Sequence, residues 1–449
     1  MKILILSQKV RLKPAQVLVL GFAAVIFTGA ILLSLPIATK SGKSVGFLNA
    51  LFTATSAVCV TGLVVVDTYT TYSLFGQLVI MLLIQTGGLG FMTMATLIFF
   101  LLGKKITLRE RLVIQEALNQ MHISGVVKLA KYVIITAVFF ELCGAALLSL
   151  RFIKIYGFLK GIYYGIFHAV SAFNNAGFDL IGNFRSFTPF VEDPLINIVV
   201  MCLIIIGGLG FSVIHEILTI RNFYKLSLHS KIVITMTAIL LLTGFVVFFL
   251  LEYTNPKTLG PLSLSGKFLA AAFQSVTPRT AGFNTISLSD MTLPAKLFTI
   301  FLMFIGASPG STGGGVKTST FFIVVLLIYT VVMNKEEVEI YSRRIPIENV
   351  YRAIVIVVIS LLLVLTVTFL LTITEKGQDL LTIMYEATSA FGTVGLSLGL
   401  TPKLSNIGKV LIIILMFCGR VGPLTIAMAL ASSKKPVLYK FPEDRILVG

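Results

Sequence analysis

A short phrase closing on glycine occurs four times along this chain, and it constrains the fold more than any other feature. The copies read Ser-Ala-Val-Cys-Val-Thr-Gly-Leu (Ser56 to Leu63), Ser-Ala-Phe-Asn-Asn-Ala-Gly-Phe (Ser171 to Phe178), Ser-Val-Thr-Pro-Arg-Thr-Ala-Gly-Phe (Ser275 to Phe283) and Ser-Ala-Phe-Gly-Thr-Val-Gly-Leu (Ser389 to Leu396). Their glycines, Gly62, Gly177, Gly282 and Gly395, stand 115, 105 and 113 residues apart. That spacing means one structural unit used four times.

The unit belongs in a membrane. Apolar residues make up 56% of the 449 and charged residues only 12%, far too little polar surface for a water-solvated chain of this length. The net charge of +17 does not point to nucleic acid, because lysine and arginine gather at particular places. They concentrate in an N-terminal arm (Lys2, Lys9, Arg11, Lys13), in the loops between repeats and in the tail (Lys434, Lys435, Lys440, Arg445). By the positive-inside rule those segments and both termini are expected in the cytoplasm of a multi-pass plasma-membrane protein. Cys59, Cys143, Cys202 and Cys418 all lie in apolar stretches and suggest no disulfide framework. The histidines, His122, His168, His215 and His229, have no metal-ligand spacing. Residues 15–36 follow a basic start as in a signal peptide, but their length and the recurrence of the same pattern mark a retained first span.

Each repeat has three parts. A long apolar run (15–36, 128–151, 231–252, 351–373) leads to a shorter segment (46–57, 160–172, 266–277, 378–390), and after the phrase comes a second long run (75–102, 194–220, 297–333, 408–431). The long runs reach the roughly 20 residues that a helix needs to cross hydrocarbon. The short ones do not, and read as half-helices that enter and return as extended chain, tolerable at membrane depth only around a shielded cavity. The expected fold is an all-α membrane protein of eight transmembrane helices and four re-entrant half-helices around one pseudo-fourfold pore. Its division is a cytoplasmic arm 1–14, repeats at 15–102, 128–220, 231–333 and 351–431, cytoplasmic loops at 103–127, 221–230 and 334–350, and a tail at 432–449. A second landmark, Gly87, Gly207, Gly306 and Gly419, follows the phrase glycines by 25, 30, 24 and 24 residues. For the first two copies small-residue packing between helices is sufficient, and the same glycines would let the second runs bend beside a pore.

Two stretches carry the closest likeness to known proteins: 274–284, Gln-Ser-Val-Thr-Pro-Arg-Thr-Ala-Gly-Phe-Asn, and 310–318, Gly-Ser-Thr-Gly-Gly-Gly-Val-Lys-Thr. With the fourfold plan they make the whole chain resemble the Trk/Ktr/HKT superfamily of potassium transporters, in particular the membrane subunits of bacterial Ktr uptake systems. The resemblance implies gated potassium uptake by a homodimer with one pore per subunit, seated on a cytosolic ring of nucleotide-binding regulatory subunits. It implies no covalently bound cofactor, with potassium in the pore and sodium as an activator.

The residues themselves suggest where the ions pass. Glycine adopts positive φ freely, so it lets successive carbonyls face one axis, and four strands then supply a ring of oxygens to replace an ion's hydration shell. The expected donors are the carbonyls of Val60 and Thr61, Asn175 and Ala176, Thr280 and Ala281, and Thr393 and Val394, closed by Gly62, Gly177, Gly282 and Gly395. The competing reading, a glycine that merely ends a helix, does not account for four equivalent copies. Only Thr393-Val394-Gly395 matches three residues of the potassium-channel filter Thr-Val-Gly-Tyr-Gly, so the residues alone support a monovalent cation and the resemblance supports potassium.

The third repeat departs from its siblings. Its second run is interrupted at 306–319 by five glycines and a proline, which helix interiors penalise by about 1 and about 3 kcal/mol each. A phosphate-binding loop is excluded because Val316 stands before Lys317 and apolar spans flank the segment. The resemblance implies a flap under the filter, with Gly310, Ser311, Thr312, Gly313, Gly314, Gly315 and Lys317 as gate residues. Arg420 lies in an apolar run, where a charge costs roughly 2.5–3.5 kcal/mol and usually faces a cavity. It is expected to oppose a cation or to hold the 310–315 carbonyls. The segment 334–352 is amphipathic and could touch a cytosolic partner, and Glu386 reads as a structural carboxylate. A sodium-coupled symporter with a midplane site is the competing function. An intramembrane enzyme is not supported, since no nucleophile–base pair or metal cluster is present.

Overall fold

Four helices are long and apolar enough to cross a bilayer: Pro14–Ser34, Val126–Tyr156, Leu228–Glu252 and Ile347–Thr374. Even the shortest, at 21 residues, extends about 32 Å at 1.5 Å per residue, enough for hydrocarbon. The computed structural model describes residues 13–90, 92–96, 107–117 and 125–430, with Pro442 and Asp444. The basic residues Lys2, Lys9, Arg11, Lys434, Lys435, Lys440 and Arg445, His122, the end of the first repeat's second run (97–102) and parts of the loop 103–127 lie outside the described residues.

Each long helix leads to a short one: Phe47–Val58, Phe158–Phe173, Leu264–Val276 and Leu380–Gly392. These have 12 to 16 residues, about 18–24 Å of helix, and end at the glycine phrases. Ser263 and Asp379 cap two of them, accepting from the N–H of Gly266 and Thr382. Glycines let the helices of a repeat come together. A Cβ on Gly29 would lie 2.6 Å from Leu83, and one on Gly144 the same 2.6 Å from Leu203, the equivalent pair one repeat later. Large apolar side chains such as Phe27, Phe139, Leu242 and Phe369 remain exposed on the outer faces of the long helices, as contact with lipid requires.

The second runs bend, as expected, but not at the glycines that the sequence pointed to. They begin as Leu74–Gly88, Pro194–Leu209, Leu293–Phe304 and Asn406–Val421, but the second and fourth bend by 98° and 91° into Phe211–Ile220 and Pro423–Leu430. The bends fall at Gly210 and Gly422, with φ of 96° and 91°. Gly90, at φ 81°, is their counterpart in the first repeat. A left-handed residue cannot continue a right-handed helix, so the turn goes to the last glycine of each motif. Gly87, Gly207 and Gly419, where sequence placed the bend, stay helical. In the third repeat the break widens into coil from Ile305 to Lys317 before Thr318–Val332. By length and composition the described residues thus hold four full spans, or six if each bent pair counts as one.

Carboxylates tie the long helices to the second ones. Glu252 accepts from the N–H and hydroxyl of Thr292 at 2.8 and 2.7 Å, and Glu375 accepts from the N–H and hydroxyl of Ser405 at 3.1 and 2.6 Å. Each places negative charge at a helix N-terminus, where the backbone dipole favours it. Within 334–352 a two-stranded hairpin pairs Glu339–Ile340 with Arg343–Arg344, and Glu337 ion-pairs with Arg344 at 2.8 Å.

Candidate ion pathway

The four glycine phrases meet. A Cβ built on Gly62 would lie 2.5 Å from the carbonyl oxygen of Ala176, on Gly177 2.8 Å from that of Ala281, and on Gly282 2.6 Å from that of Val394. On Gly395 it would overlap the carbonyl oxygen of Thr61. Repeat one therefore abuts two, two abuts three, three abuts four, and four closes on one. All four glycines have positive φ, between 67° and 91°, so an added side chain would be both crowded and strained.

Glycine is only half of the backbone device. Val60, Asn175, Thr280 and Thr393, each two residues before a ring glycine, also have positive φ, from 51° to 72°. The intervening Thr61, Ala176, Ala281 and Val394 do not. Alternating the sign of φ turns successive carbonyls toward one side of an extended strand instead of opposite sides. Three of these left-handed residues are β-branched, a conformation costing about 1–3 kcal/mol apiece and persisting where the surroundings impose it. The sequence marks these four residues as carbonyl donors but does not show their left-handed backbone. The available signal was the constant two-residue offset, obscured by three kinds of side chain at the four positions.

Helix ends hold the strands in place. The N–H groups of Thr61, Ala176 and Val394 donate to the carbonyls of Ser56, Ser171 and Ser389 at 2.7–2.8 Å. The Ser56 and Ser389 hydroxyls accept from the N–H of Gly62 and Gly395 at 3.0 and 3.1 Å. Behind the second strand, Asn174 donates to Glu141 and to Gln85, both at 2.8 Å. Gly87, Gly207 and Gly419 face the carbonyls of Val58, Phe173 and Phe391, one equivalent position per repeat, with no room for a Cβ. Gly306 faces Gly314 instead. That is the point at which fourfold symmetry fails.

The coil of the third repeat crosses beside the strands. Gly313 and Gly314 lie against the Thr280 and Thr393 hydroxyls, and the Gly314 N–H donates to Thr393 Oγ1 at 3.1 Å. Further backbone bonds reach neighbouring repeats: Ser308 and Thr312 N–H donate to the carbonyls of Gly208 and Gly207, and Gly315 N–H to that of Gly419. Gly310 accepts from the Phe211 N–H at 3.0 Å, and Ser311 closes a turn onto the Ser308 carbonyl. Two basic side chains clasp consecutive coil carbonyls. Lys317 Nζ donates to Gly313 at 2.6 Å, and one Arg420 nitrogen donates to Thr312. The other Arg420 nitrogen donates to Gly87 and, at 3.0 Å, to Gly88. Arg420 thus joins repeats one, three and four.

On the other face of the ring opens a cavity of about 390 Å³ bordered by Gly62, Gly177, Gly282 and Gly395 together with Asp67, Asp179 and Ser397. Glu386 does not border it. It accepts from Ser397 at 2.7 Å and from Thr401, as expected of a structural carboxylate. Among the described residues no group of histidine, cysteine and carboxylate side chains is placed to hold a metal.

Comparison with known proteins identifies the family. A family model described as TrkH, cation transport protein, matches residues 12–437. The chain is 45% identical over 440 residues to Ktr system potassium uptake protein B of Bacillus subtilis, covering 98% of each. It is 43% identical over 444 residues to the potassium/sodium uptake protein NtpJ of Enterococcus hirae, again 98% of each. The potassium transporter TrkH of Vibrio parahaemolyticus has the same fold, with a TM-score of 0.74 at 20% identity over 94% of this chain and 86% of the other. The resemblance drawn from the two motifs is therefore borne out, and the chain belongs to the TrkH family of cation transport proteins.

Proposed function

We propose that the chain takes up potassium across the plasma membrane through a filter of backbone carbonyls from Val60–Thr61, Asn175–Ala176, Thr280–Ala281 and Thr393–Val394. The closed ring of Gly62, Gly177, Gly282 and Gly395 carries this reading, because four strands of matching φ pattern converge where no side chain fits. Potassium as the cargo is supported by the names of relatives 45% and 43% identical. The 310–315 coil with Lys317 and Arg420 is the gate, held closed by the two basic clasps. The basic arm, loops and tail put both termini in the cytoplasm, with the boundaries read from the sequence. The resemblance to Ktr systems implies a homodimer on a cytosolic ring of nucleotide-binding subunits, and sodium acts as an activator.

The test is uptake into cells lacking their own potassium uptake, with potassium and sodium varied independently, with and without a regulatory subunit. Saturable potassium uptake that sodium does not replace is expected. Uptake driven in proportion to the sodium gradient would move the reading to sodium-coupled symport, for which the Enterococcus hirae relative's name speaks. Absence of potassium uptake by well-expressed protein sinks both.

A further inference from the structure

One position on the half-helices has a recurrent task that the filter reading does not use. It lies three residues before the serine that opens each phrase and is occupied by Thr53, His168 and Glu386 in repeats one, two and four. All three are at most 1% exposed. Each accepts a hydrogen bond from the segment that follows its own filter strand. Thr53 Oγ1 accepts from the Tyr72 hydroxyl at 3.1 Å. His168 Nε2 accepts from the Leu180 N–H at 3.1 Å, so its proton is on Nδ1, which donates to the Tyr164 carbonyl at 2.7 Å. Glu386 accepts from the Ser397 and Thr401 hydroxyls. In the third repeat the position is Ala272, and there Thr277 Oγ1 donates to the Phe283 carbonyl instead.

The segments so held form the wall of the cavity over the glycine ring: Ser397 and Thr401 border it, as does Asp179 beside Leu180. His168 and Glu386 belong to repeats two and four, which the ring order places diagonally. Glu386 forms no ion pair among the described residues, and its side-chain partners are the Ser397 and Thr401 hydroxyls.

We propose that His168 and Glu386 are positioning residues of the outer mouth: they fix two diagonal wall segments, and thereby set the affinity with which the mouth admits potassium over sodium. They touch no ion. A wall held loosely still conducts, but presents its oxygens at the wrong spacing, so apparent affinity and discrimination change while maximal rate does not.

This rests on the filter reading, and the experiment separates the two. Potassium and sodium uptake curves are measured for Glu386→Ala, Glu386→Gln, His168→Asn and His168→Gln, at matched membrane levels, with Gly395→Ser as control. Asparagine keeps the bond to Tyr164 and loses the one to Leu180, whereas glutamine keeps an acceptor where Nε2 stood. Glu386→Ala and His168→Asn are expected to raise half-saturating potassium about fivefold or more, and the glutamine variants to recover most of it. Should Glu386→Ala not reach the membrane, Ser397→Ala removes the same bond from the mouth side and decides on the same scale. Unchanged half-saturation and discrimination in these variants, with Gly395→Ser impaired, overturns the proposal and leaves the filter standing. If glutamine rescues nothing, side-chain positioning is wrong. If Gly395→Ser is also unchanged, the filter reading falls with it.

Discussion

Gly395 and the carbonyl of Thr61 are in contact with no space for a methyl group between them, so the fourth repeat closes against the first through bare backbone. The remaining junctions are slightly looser, with the would-be Cβ 2.5, 2.6 and 2.8 Å from the next carbonyl at Gly62, Gly282 and Gly177. Ring closure of this kind makes the four glycines unequal.

Serine at each ring glycine is therefore expected to raise half-saturating potassium in a graded order, Gly395 most and Gly177 least. Each also carries the cost of a left-handed non-glycine residue, roughly 1–2 kcal/mol, which corresponds to about tenfold in affinity if it falls on the filter. Uptake curves at matched expression check it. Four equal phenotypes would mean that crowding at the ring is not what matters.

Arg420→Ala removes the bonds to Thr312, Gly87 and Gly88. Hydrogen bonds from a charged donor contribute about 1.5–3 kcal/mol each, so the coil is expected to leave its place and unitary uptake rate to rise several-fold. Arg420→Lys restores little, since one ammonium cannot span two repeats as a planar fork does. Initial rates per transporter distinguish the outcomes. A rate at or below wild type in well-expressed Arg420→Ala counts against a latch.

Gly313→Ala and Gly314→Ala place a methyl group against the hydroxyls of Thr280 and Thr393. Both are expected to displace the coil and raise flux, and trimming the opposing threonine should reverse the effect. For Gly314 the partner change is Thr393→Ala, which also removes the acceptor of its N–H. Reversal by the second substitution is the observation to seek, and additive effects would place the coil elsewhere.

Asp179 lies on the mouth wall beyond the filter strand. Burial, reinforced by the neighbouring Asp67 carboxylate, pushes its carboxyl up to about 6. An acid with a raised value is charged above it and neutral below it, so the mouth gains a negative charge above about pH 6 and loses it in more acidic medium. Potassium affinity is expected to fall as external pH drops through that value, and Asp179→Asn to flatten the profile at the low-pH level. A mutant that keeps the wild-type pH curve assigns the titration elsewhere.

The repeat was legible because its signals are local. Apolar runs such as 128–151 announce spans, a dozen residues ending in a glycine phrase announce a half-helix, and five glycines with Pro309 forbid a helix at 306–319. The sequence does not place the bends of the second spans, since a Gly-Gly-Leu-Gly or Gly-Arg-Val-Gly motif does not state which glycine turns. Packing against the carbonyls of Phe173 and Phe391 keeps the first one helical and leaves the bend to Gly210 and Gly422. The role of His168 is not legible in the sequence, because its partner, the Leu180 N–H, is backbone and has no signature.

The sequence by itself determined a membrane chain of four units, each with a span, a half-helix and a glycine strand, and marked the third and fourth as odd. Propensity, apolar length and repeated spacing are properties of neighbouring residues, and neighbouring residues suffice to read them. Only the tertiary structure decided that Gly395 meets Thr61, that Arg420 clasps Thr312 and Gly87 together, and that the coil runs against Thr280 and Thr393. Those contacts join repeats far apart in the chain, and they exist only once the ring has closed.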